Sequence, residues 1–308
     1  MALYVVTGGA GFIGSHLTET LLARGESVRV VDSLITGHQR NVQPGAEFVK
    51  GDLADVDFAK QAIAGADYVL HQAAIPSVPR SVADPITSNR ANIDATLNVL
   101  VAARDAKVKR LVYAASSSAY GNAAALPKRE DMGTDPLSPY ALQKLVGEQY
   151  LKQFTALYGL ETVSIRYFNV FGPRQDPSSP YSGVISLFIT HLLAGKAPKI
   201  YGDGGQTRDF TYVGNVVDGV LRATKADGAS GQVINVATGG RISLNELFTT
   251  LRTIIGGTME PEYLPDRAGD VRDSQADIGK AKAILGYTPV ISFEDGLRRT
   301  VDWYRTQA

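Results

Sequence analysis

The chain has 308 residues, 44% of them hydrophobic and 20% charged, and its 31 basic side chains balance its 31 acidic ones. This is an ordinary globular composition with room for one large domain or two small ones, and a zero formal net charge removes any global electrostatic case for nucleic acid or an anionic membrane surface. There is no cysteine, which excludes disulfides, thiolate metal sites and a cysteine nucleophile. No apolar run approaches the ~20 residues that span a bilayer, and the start carries no signal-peptide pattern. The expectation is a soluble, cytoplasmic protein with no metal site.

In chain order, short β-branched runs predict buried strands at Leu3–Thr7, Ser27–Asp32, Glu47–Lys50, Tyr68–His71, 110–115 and Thr162–Tyr167. Helical spacing, with apolar residues three and four apart, occupies 11–24, 92–106 and Pro139–Tyr158. Strand–helix–strand repetition of this kind predicts an α/β fold, a Rossmann-type doubly wound parallel sheet with helices on both faces. After Val170 the texture changes. Segments 171–183 and 201–207 are rich in Gly, Pro, Ser and Asp and read as structured loops rather than core. Helices return at 184–194, 213–225, Leu244–Ile255, 277–285 and Phe293–Arg305, and Gln232–Val236 reads as a further strand of the main sheet. The expected organisation is a dinucleotide-binding domain over 1–170, with 208–239 returning to it, and a smaller interleaved region over 171–308.

The first strand runs into Thr7-Gly-Gly-Ala-Gly-Phe-Ile-Gly14 and then a helix. Gly8 permits a tight turn, Gly11 lets the backbone approach a pyrophosphate, and Gly14 lets the helix pack on the strand. The helix start offers free N–H groups and a partial positive charge to phosphates. Asp32 ends the second strand, where a carboxylate accepts hydrogen bonds from an adenosine ribose and repels a 2′-phosphate; this favours NAD over NADP. The alternative is a solvated acid at a strand end. Asp52 and Leu53 follow the third strand and are placed to reach the adenine. His16, just inside the helix, reads as a packing residue rather than a catalyst.

Tyr140 and Lys144 stand one helical turn apart on one face. Such a pair also arises by chance; its position gives it meaning. It opens the helix after the fifth strand, and that strand ends in Ala115-Ser-Ser-Ser118, so both lie at the sheet edge where doubly wound folds bind ligands. Taking a proton from an alcohol while the same carbon is oxidised needs a base that works near neutral pH. A free phenol titrates near ~10; Lys144 and a positive nicotinamide are expected to bring it down. Ser116 would hydrogen-bond the same oxygen, the alternative being a polar strand end.

Over essentially its whole length the chain resembles the extended short-chain dehydrogenase/reductases, and within them the nucleotide-sugar 4-epimerases. The resemblance is carried by TGGAGFIGSH at 7–16, HQAA at 71–74, SSSAYG at 116–121, SPYALQK at 138–144, RYFNVFGPRQDP at 166–177, GDGGQTRDFTYV at 202–213 and AGDVRDSQAD at 268–277. It implies that Phe12, Ile13, Gln72, Ala73, Ala74, Asn92, Ala114 and Tyr167 serve the cofactor, with Phe168 between nicotinamide and substrate. It implies that Asn169 meets the diphosphate, that Arg208 and Arg267 neutralise it, that Asp270 takes the uridine ribose and that Tyr201 lies by the uracil. Ser77, Ser117, Ser118, Val184 and Ser274 complete the implied UDP-sugar site. The implied reaction oxidises C4 of the sugar, turns the 4-keto ring over and reduces its other face.

Relatives that dehydrate or decarboxylate resemble one another in acidic side chains at the positions matching Ser117 and Ser118. Serines here argue against both chemistries. Ser274 matches a position where galactose-type enzymes can carry a tyrosine and Pro76 one where they carry a lysine, so the resemblance implies UDP-GlcNAc and UDP-GalNAc as the better substrates, with UDP-glucose and UDP-galactose taken more weakly. UDP-glucose and UDP-glucuronate 4-epimerases remain alternatives, and so does a non-enzymatic NAD and nucleotide-sugar sensor. The resemblance also implies a homodimer in which the helices around 92–106 and 139–158 pack across a two-fold axis.

Overall fold

A computed structural model describes residues 1–177, 183–266 and 272–307. Seven parallel strands form the central sheet: β1 (Leu3–Thr7), β2 (Ser27–Asp32), β3 (Glu47–Lys50), β4 (Tyr68–His71), β5 (Arg110–Ser116), β6 (Thr162–Tyr167) and the strand Gln232–Val236. Across the sheet the order runs from Gln232–Val236 through β6, β5, β4, β1 and β2 to β3. The Rossmann-type α/β expectation is therefore met, including the late return of Gln232–Val236 beside β6.

Alternation along the strands explains why helices cover both faces. In β1, Tyr4 and Val6 enter one core cluster and Val5 the other; in β5, Val112 and Ala114 face one way, Leu111, Tyr113 and Ala115 the other. Each strand thus contributes to two hydrophobic layers, and every one of these residues is less than a tenth exposed. Strand order reverses between β1 and β4, since the chain fills the sheet outward from β1 on one side and from β4 on the other. At that switch point buried His71 ties the two strands together. Its Nδ1 lies 2.7 Å from the Thr7 hydroxyl and its Nε2 3.0 Å from Thr96 Oγ1. Burial, with Lys144 nearby, holds this imidazole neutral, at about 3.

Two helices position the chemistry. Helix α1 (Phe12–Ala23) starts directly at the glycine turn with Gly11 as its cap. The 20-residue helix Pro139–Tyr158 is capped by Ser138, whose hydroxyl accepts from Ala141 N; Pro139 fills its first turn and Gly159, in the left-handed region at φ 69°, ends it. Its buried face carries Ala141, Gly147, Leu151 and Phe154, but also the polar Gln143, Lys144 and Glu148.

The structure differs from the sequence reading in several segments. Val56–Ile63, Val78–Ala83 and Pro85–Asn89 are helices that the apolar pattern is too short to announce. Phe171 lies in a segment expected to be loop, yet it is 1% exposed, pairs with the Thr211–Tyr212 strand and packs on Tyr212 and Phe293. Two apolar residues there outweigh a Gly/Pro-rich neighbourhood. Tyr201 likewise sits in a strand, Lys199–Tyr201, beside Glu262–Leu264.

Candidate active site

The loops at the C-terminal ends of these strands enclose one cavity of about 1540 Å³. Pockets for a single small ligand run from roughly 300 to 1,000 Å³, so this one has room for two ligands end to end.

At one end lies the glycine turn. Gly8 adopts φ +68°, and a Cβ there would sit 2.7 Å from Ala73 N; a Cβ on Gly14 would sit 2.2 Å from the Gly8 carbonyl oxygen. Gly11 N donates to Gly8 O at 3.0 Å, and a Cβ on Gly11 would meet only that oxygen, leaving its cavity side open for a phosphate. Asp32 is 8% exposed. Its oxygens accept from Ala10 N at 3.0 Å and Leu34 N at 2.8 Å, which fixes the carboxylate and leaves each oxygen a second lone pair. Burial raises its pKa, and the two backbone bonds oppose that shift. Phe12, Ile13, Asp52, Leu53, Ala73 and Ala74 line the same end. Gln72 accepts from the Tyr167 hydroxyl at 2.9 Å, while its buried Nε2 has no partner. A donor waiting in the wall, a carboxylate hostile to a 2′-phosphate and a turn that only glycine fits together suit NAD.

As a check on that turn, Gly14→Ala should lower both the melting temperature and NAD affinity. Alanine normally stabilises a helix over glycine by ~1 kcal/mol; here the clash with a backbone carbonyl reverses the sign, by about 1–3 kcal/mol. A melt with and without NAD measures it, and an unchanged or higher melting temperature would refute the close approach.

In the middle stand Ser116, Tyr140 and Lys144, all lining the cavity with Ala114. Lys144 Nζ donates to Ala114 O at 2.8 Å and lies 4.8 Å from the Tyr113 ring centroid. Ser118 Oγ donates to Ser116 Oγ at 2.8 Å, and Ser81 Oγ accepts from Tyr140 N at 3.0 Å. The expected electrostatics need a correction. The protein's own groups do not bring the phenol toward neutrality: burial pushes Tyr140 up to about 12, with hydrogen bonding from Ser116 pulling the other way. Burial also pushes Lys144 down to about 7, with Glu148 opposing it, which weakens the very charge that was to help.

The far end is lined by Ser77, Ser117, Ser118, Phe168, Asn169, Arg208 and Ser274. Arg208 Nη1 donates to the carbonyls of Thr207 and Arg272, both at 2.9 Å. Val184 begins the helix Val184–Leu193 and Tyr201 is 40% exposed; neither is among the cavity's lining side chains. Arg267 and Asp270 lie outside the described residues. Asn92 stands behind the wall rather than in it. It is 1% exposed, accepts from Ile75 N at 2.8 Å and donates to Gln143 Oε1 at 2.8 Å, so it fixes the Ala74–Ser77 turn to the Tyr140 helix. His16 is a packing residue, as expected, with Nε2 2.9 Å from Pro173 O.

Sequence reasoning missed Gln143, Ser81, Lys128, and the contact between His38 Nε2 and Asp176 Oδ2 at 3.0 Å, which joins two cavity-lining loops. Only Gln143 carried a signal, from its place between Tyr140 and Lys144.

Two binding ends that meet over one phenol make this an extended short-chain dehydrogenase/reductase. Residues 4–237 match the NAD dependent epimerase/dehydratase family. A UDP-glucose 4-epimerase of Mycolicibacterium smegmatis is 41% identical over 311 residues, covering 99% of each chain. A UDP-glucuronate 4-epimerase of Thermodesulfobacterium geofontis is 36% identical over 317 residues, covering 98% of this chain and 96% of its own. The solved UDP-N-acetylglucosamine 4-epimerase of Methanobrevibacter ruminantium, in complex with UDP-N-acetylmuramic acid, superposes with a TM-score of 0.96 at 40% identity, covering 100% and 99%. The chain belongs to the NAD-dependent epimerase/dehydratase family, and NAD is its cofactor.

Proposed function

We propose that this isomerase is an NAD-dependent UDP-sugar 4-epimerase that interconverts UDP-GlcNAc and UDP-GalNAc and takes UDP-glucose and UDP-galactose more weakly. The observation that carries the reading is one cavity in which a Ser116–Tyr140–Lys144 centre is flanked by serines at 117, 118 and 274. No carboxylate stands at 117 or 118 to drive elimination or decarboxylation, and the half-buried Ser274 leaves space for a 2-acetamido group. UDP-glucose and UDP-glucuronate are the alternative readings; serines at 117 and 118 leave the second open, because epimerisation keeps the carboxylate that decarboxylation would remove.

The glycine turn would hold the pyrophosphate, Asp32 the adenosine ribose, Asp52 and Leu53 the adenine, and Gln72 and Tyr167 the nicotinamide end. When bound, NAD supplies reversible oxidation at C4 of the sugar. Tyr140 removes and returns the proton on O4, Ser116 holds the same oxygen, and Lys144 sets the charge beside the phenol. Because burial alone raises Tyr140, its fall toward neutral pH would come from the positive ring of bound NAD. Arg208, with Arg267 and Asp270, would grip the UDP; a firm hold there and a loose one on the sugar is what an epimerase needs. On this reading 1–170, with 208–239, form the dinucleotide part and 171–308 mainly the UDP-sugar part. The apolar groove along Leu142, Leu145, Val146 and Tyr150 on the Tyr140 helix fits a homodimer contact. Among the described residues no helix is long and apolar enough to cross a membrane.

Incubation with each UDP-sugar, followed by chromatography of the products, tests the assignment. Ser274→Tyr should cut kcat/KM for the acetylated pair by about 10-fold or more relative to the non-acetylated pair. Equal loss on both pairs would remove Ser274 as the gatekeeper.

A further inference from the structure

Beside Lys144 stands one large side chain that the chemistry above does not use. Tyr113, on β5, is fully buried. Its ring centroid lies 4.8 Å from Lys144 Nζ, inside the ~6 Å reach of a cation over an aromatic face. The next residue of the strand supplies the carbonyl, Ala114 O, that accepts from the same ammonium at 2.8 Å. Strand β5 therefore presents Lys144 with an acceptor and an aromatic face together.

Two further elements fix the ring. It stacks on His71 of β4, with centroids 5.7 Å apart and an interplanar angle of 28°. The Tyr140 helix admits it through Gly147, where a Cβ would stand 2.4 Å from the Tyr113 hydroxyl and 2.6 Å from its Cζ. Glycine in a helix interior costs stability relative to alanine, so the helix gives up stability to make this room. The hydroxyl itself is buried without a hydrogen bond. Thr96 is near enough to draw its pKa down but not to bond it, being committed to Asn92 O at 2.6 Å and His71 Nε2 at 3.0 Å. Burial outweighs that pull and keeps the Tyr113 phenol protonated. What Tyr113 contributes thus comes from its ring and not from its oxygen.

The ionisable groups around Lys144 leave that ring a task. Burial pushes the lysine down to about 7, with Glu148 opposing it, and Glu148 is itself claimed by two Arg166 nitrogens at 2.8 and 2.7 Å. His71 is neutral, held at about 3. Tyr140 on the same helix and Tyr167 on β6 are both raised by burial and stay protonated. An aromatic face attracts a cation through its quadrupole, most strongly where water is excluded.

We infer that Tyr113 is a positioning residue: its ring face seats the Lys144 ammonium and, through that charge, readies Tyr140 for proton transfer. This rests on the epimerase reading above and adds to it the group that keeps the lysine effective in a dry site. Without the ring the neutral amine gains, less positive charge stands beside Tyr140, and the phenol becomes harder to ionise. The acid limb of kcat against pH then moves to higher pH.

Tyr113→Phe, Tyr113→Leu and proteins carrying mono-, di- and trifluorinated phenylalanine at position 113, each checked by thermal melt, test this. For each, kcat on the preferred UDP-sugar is followed against pH. The Lys144 amine is titrated in parallel by heteronuclear NMR, with Lys144→Met identifying its signal. Tyr113→Phe should keep the wild-type profile. Tyr113→Leu should raise the acid limb by about half a unit to one unit, an about 3- to 10-fold loss of kcat below the limb, while the plateau rate and KM hold and Lys144 titrates lower. Fluorine drains the ring face with little change of size, so both midpoints should move in step with the number of fluorines. Midpoints that stay put in Tyr113→Leu and across the fluorinated series overturn the inference, and so does a rate loss equal at every pH, which packing alone would give. Should Tyr113→Leu fail to fold, the fluorinated series decides. A wild type that forms no 4-epimer from any UDP-sugar removes the epimerase reading instead, and the lysine titration still decides the part played by Tyr113.

Discussion

Replacing Tyr140 with phenylalanine should lower turnover of the preferred UDP-sugar by about 10³-fold, the scale of a lost general acid–base group, while NAD and UDP-sugar affinities stay within a few-fold. The substitution deletes one oxygen from a site whose shape is set by other atoms: Ser81 holds the Tyr140 backbone and Lys144 is anchored on Ala114 O. Steady-state rates and calorimetric titration separate the two effects. The same variant reports on the electrostatics. Burial pushes the phenol up to about 12, so the group stays protonated until a positive charge arrives. In mildly alkaline buffer, NAD binding should release protons from the wild type that Tyr140→Phe does not release. Residual activity above a tenth of wild type, or equal proton release, would refute the role of base.

The largest stability effect should come from Glu148, one turn beyond Lys144. Glu148 and Arg166 form a bidentate pair at 2.8 and 2.7 Å, with side chains 1% and 4% exposed. The guanidinium also lies 4.4 Å from the Tyr120 ring centroid. This pair bolts the Tyr140 helix to β6, and therefore to Tyr167 and Phe168. Glu148→Leu leaves an uncompensated charge in the core and should cost about 3–5 kcal/mol. The double variant Glu148→Leu/Arg166→Met should recover much of that loss, because two apolar side chains remove both charges together. Denaturant unfolding of the four proteins of the cycle measures it. A single-variant loss below ~1 kcal/mol, within the range of a surface pair, would contradict the buried-pair account.

The strands were legible because each presents a short β-branched run with two buried faces, and six of the seven boundaries agree to the residue. The cofactor end was legible for a related reason: glycine spacing and a strand-terminal acid are local, so sequence distance maps directly onto space. Elsewhere the site depends on contacts that sequence does not express. Lys128 reaches the cavity only because its segment pairs beside Ala276, almost 150 residues away. Asn92 reads as a cofactor contact until Gln143 and Ile75 are seen to claim its amide. The electrostatics of the phenol were legible only in part. Sequence places a charge near Tyr140 but says nothing of how much water is lost around it, and that desolvation decides the direction of its pKa.

The central claim, that this cavity inverts the configuration at C4 of a UDP-linked sugar, is most directly tested by proton NMR of the purified protein with UDP-GlcNAc and NAD in deuterated water. The account predicts that UDP-GalNAc appears, that the same mixture is reached from UDP-GalNAc, and that C4 keeps its original hydrogen. Absence of the 4-epimer, or deuterium entering at C4 from solvent, would contradict it.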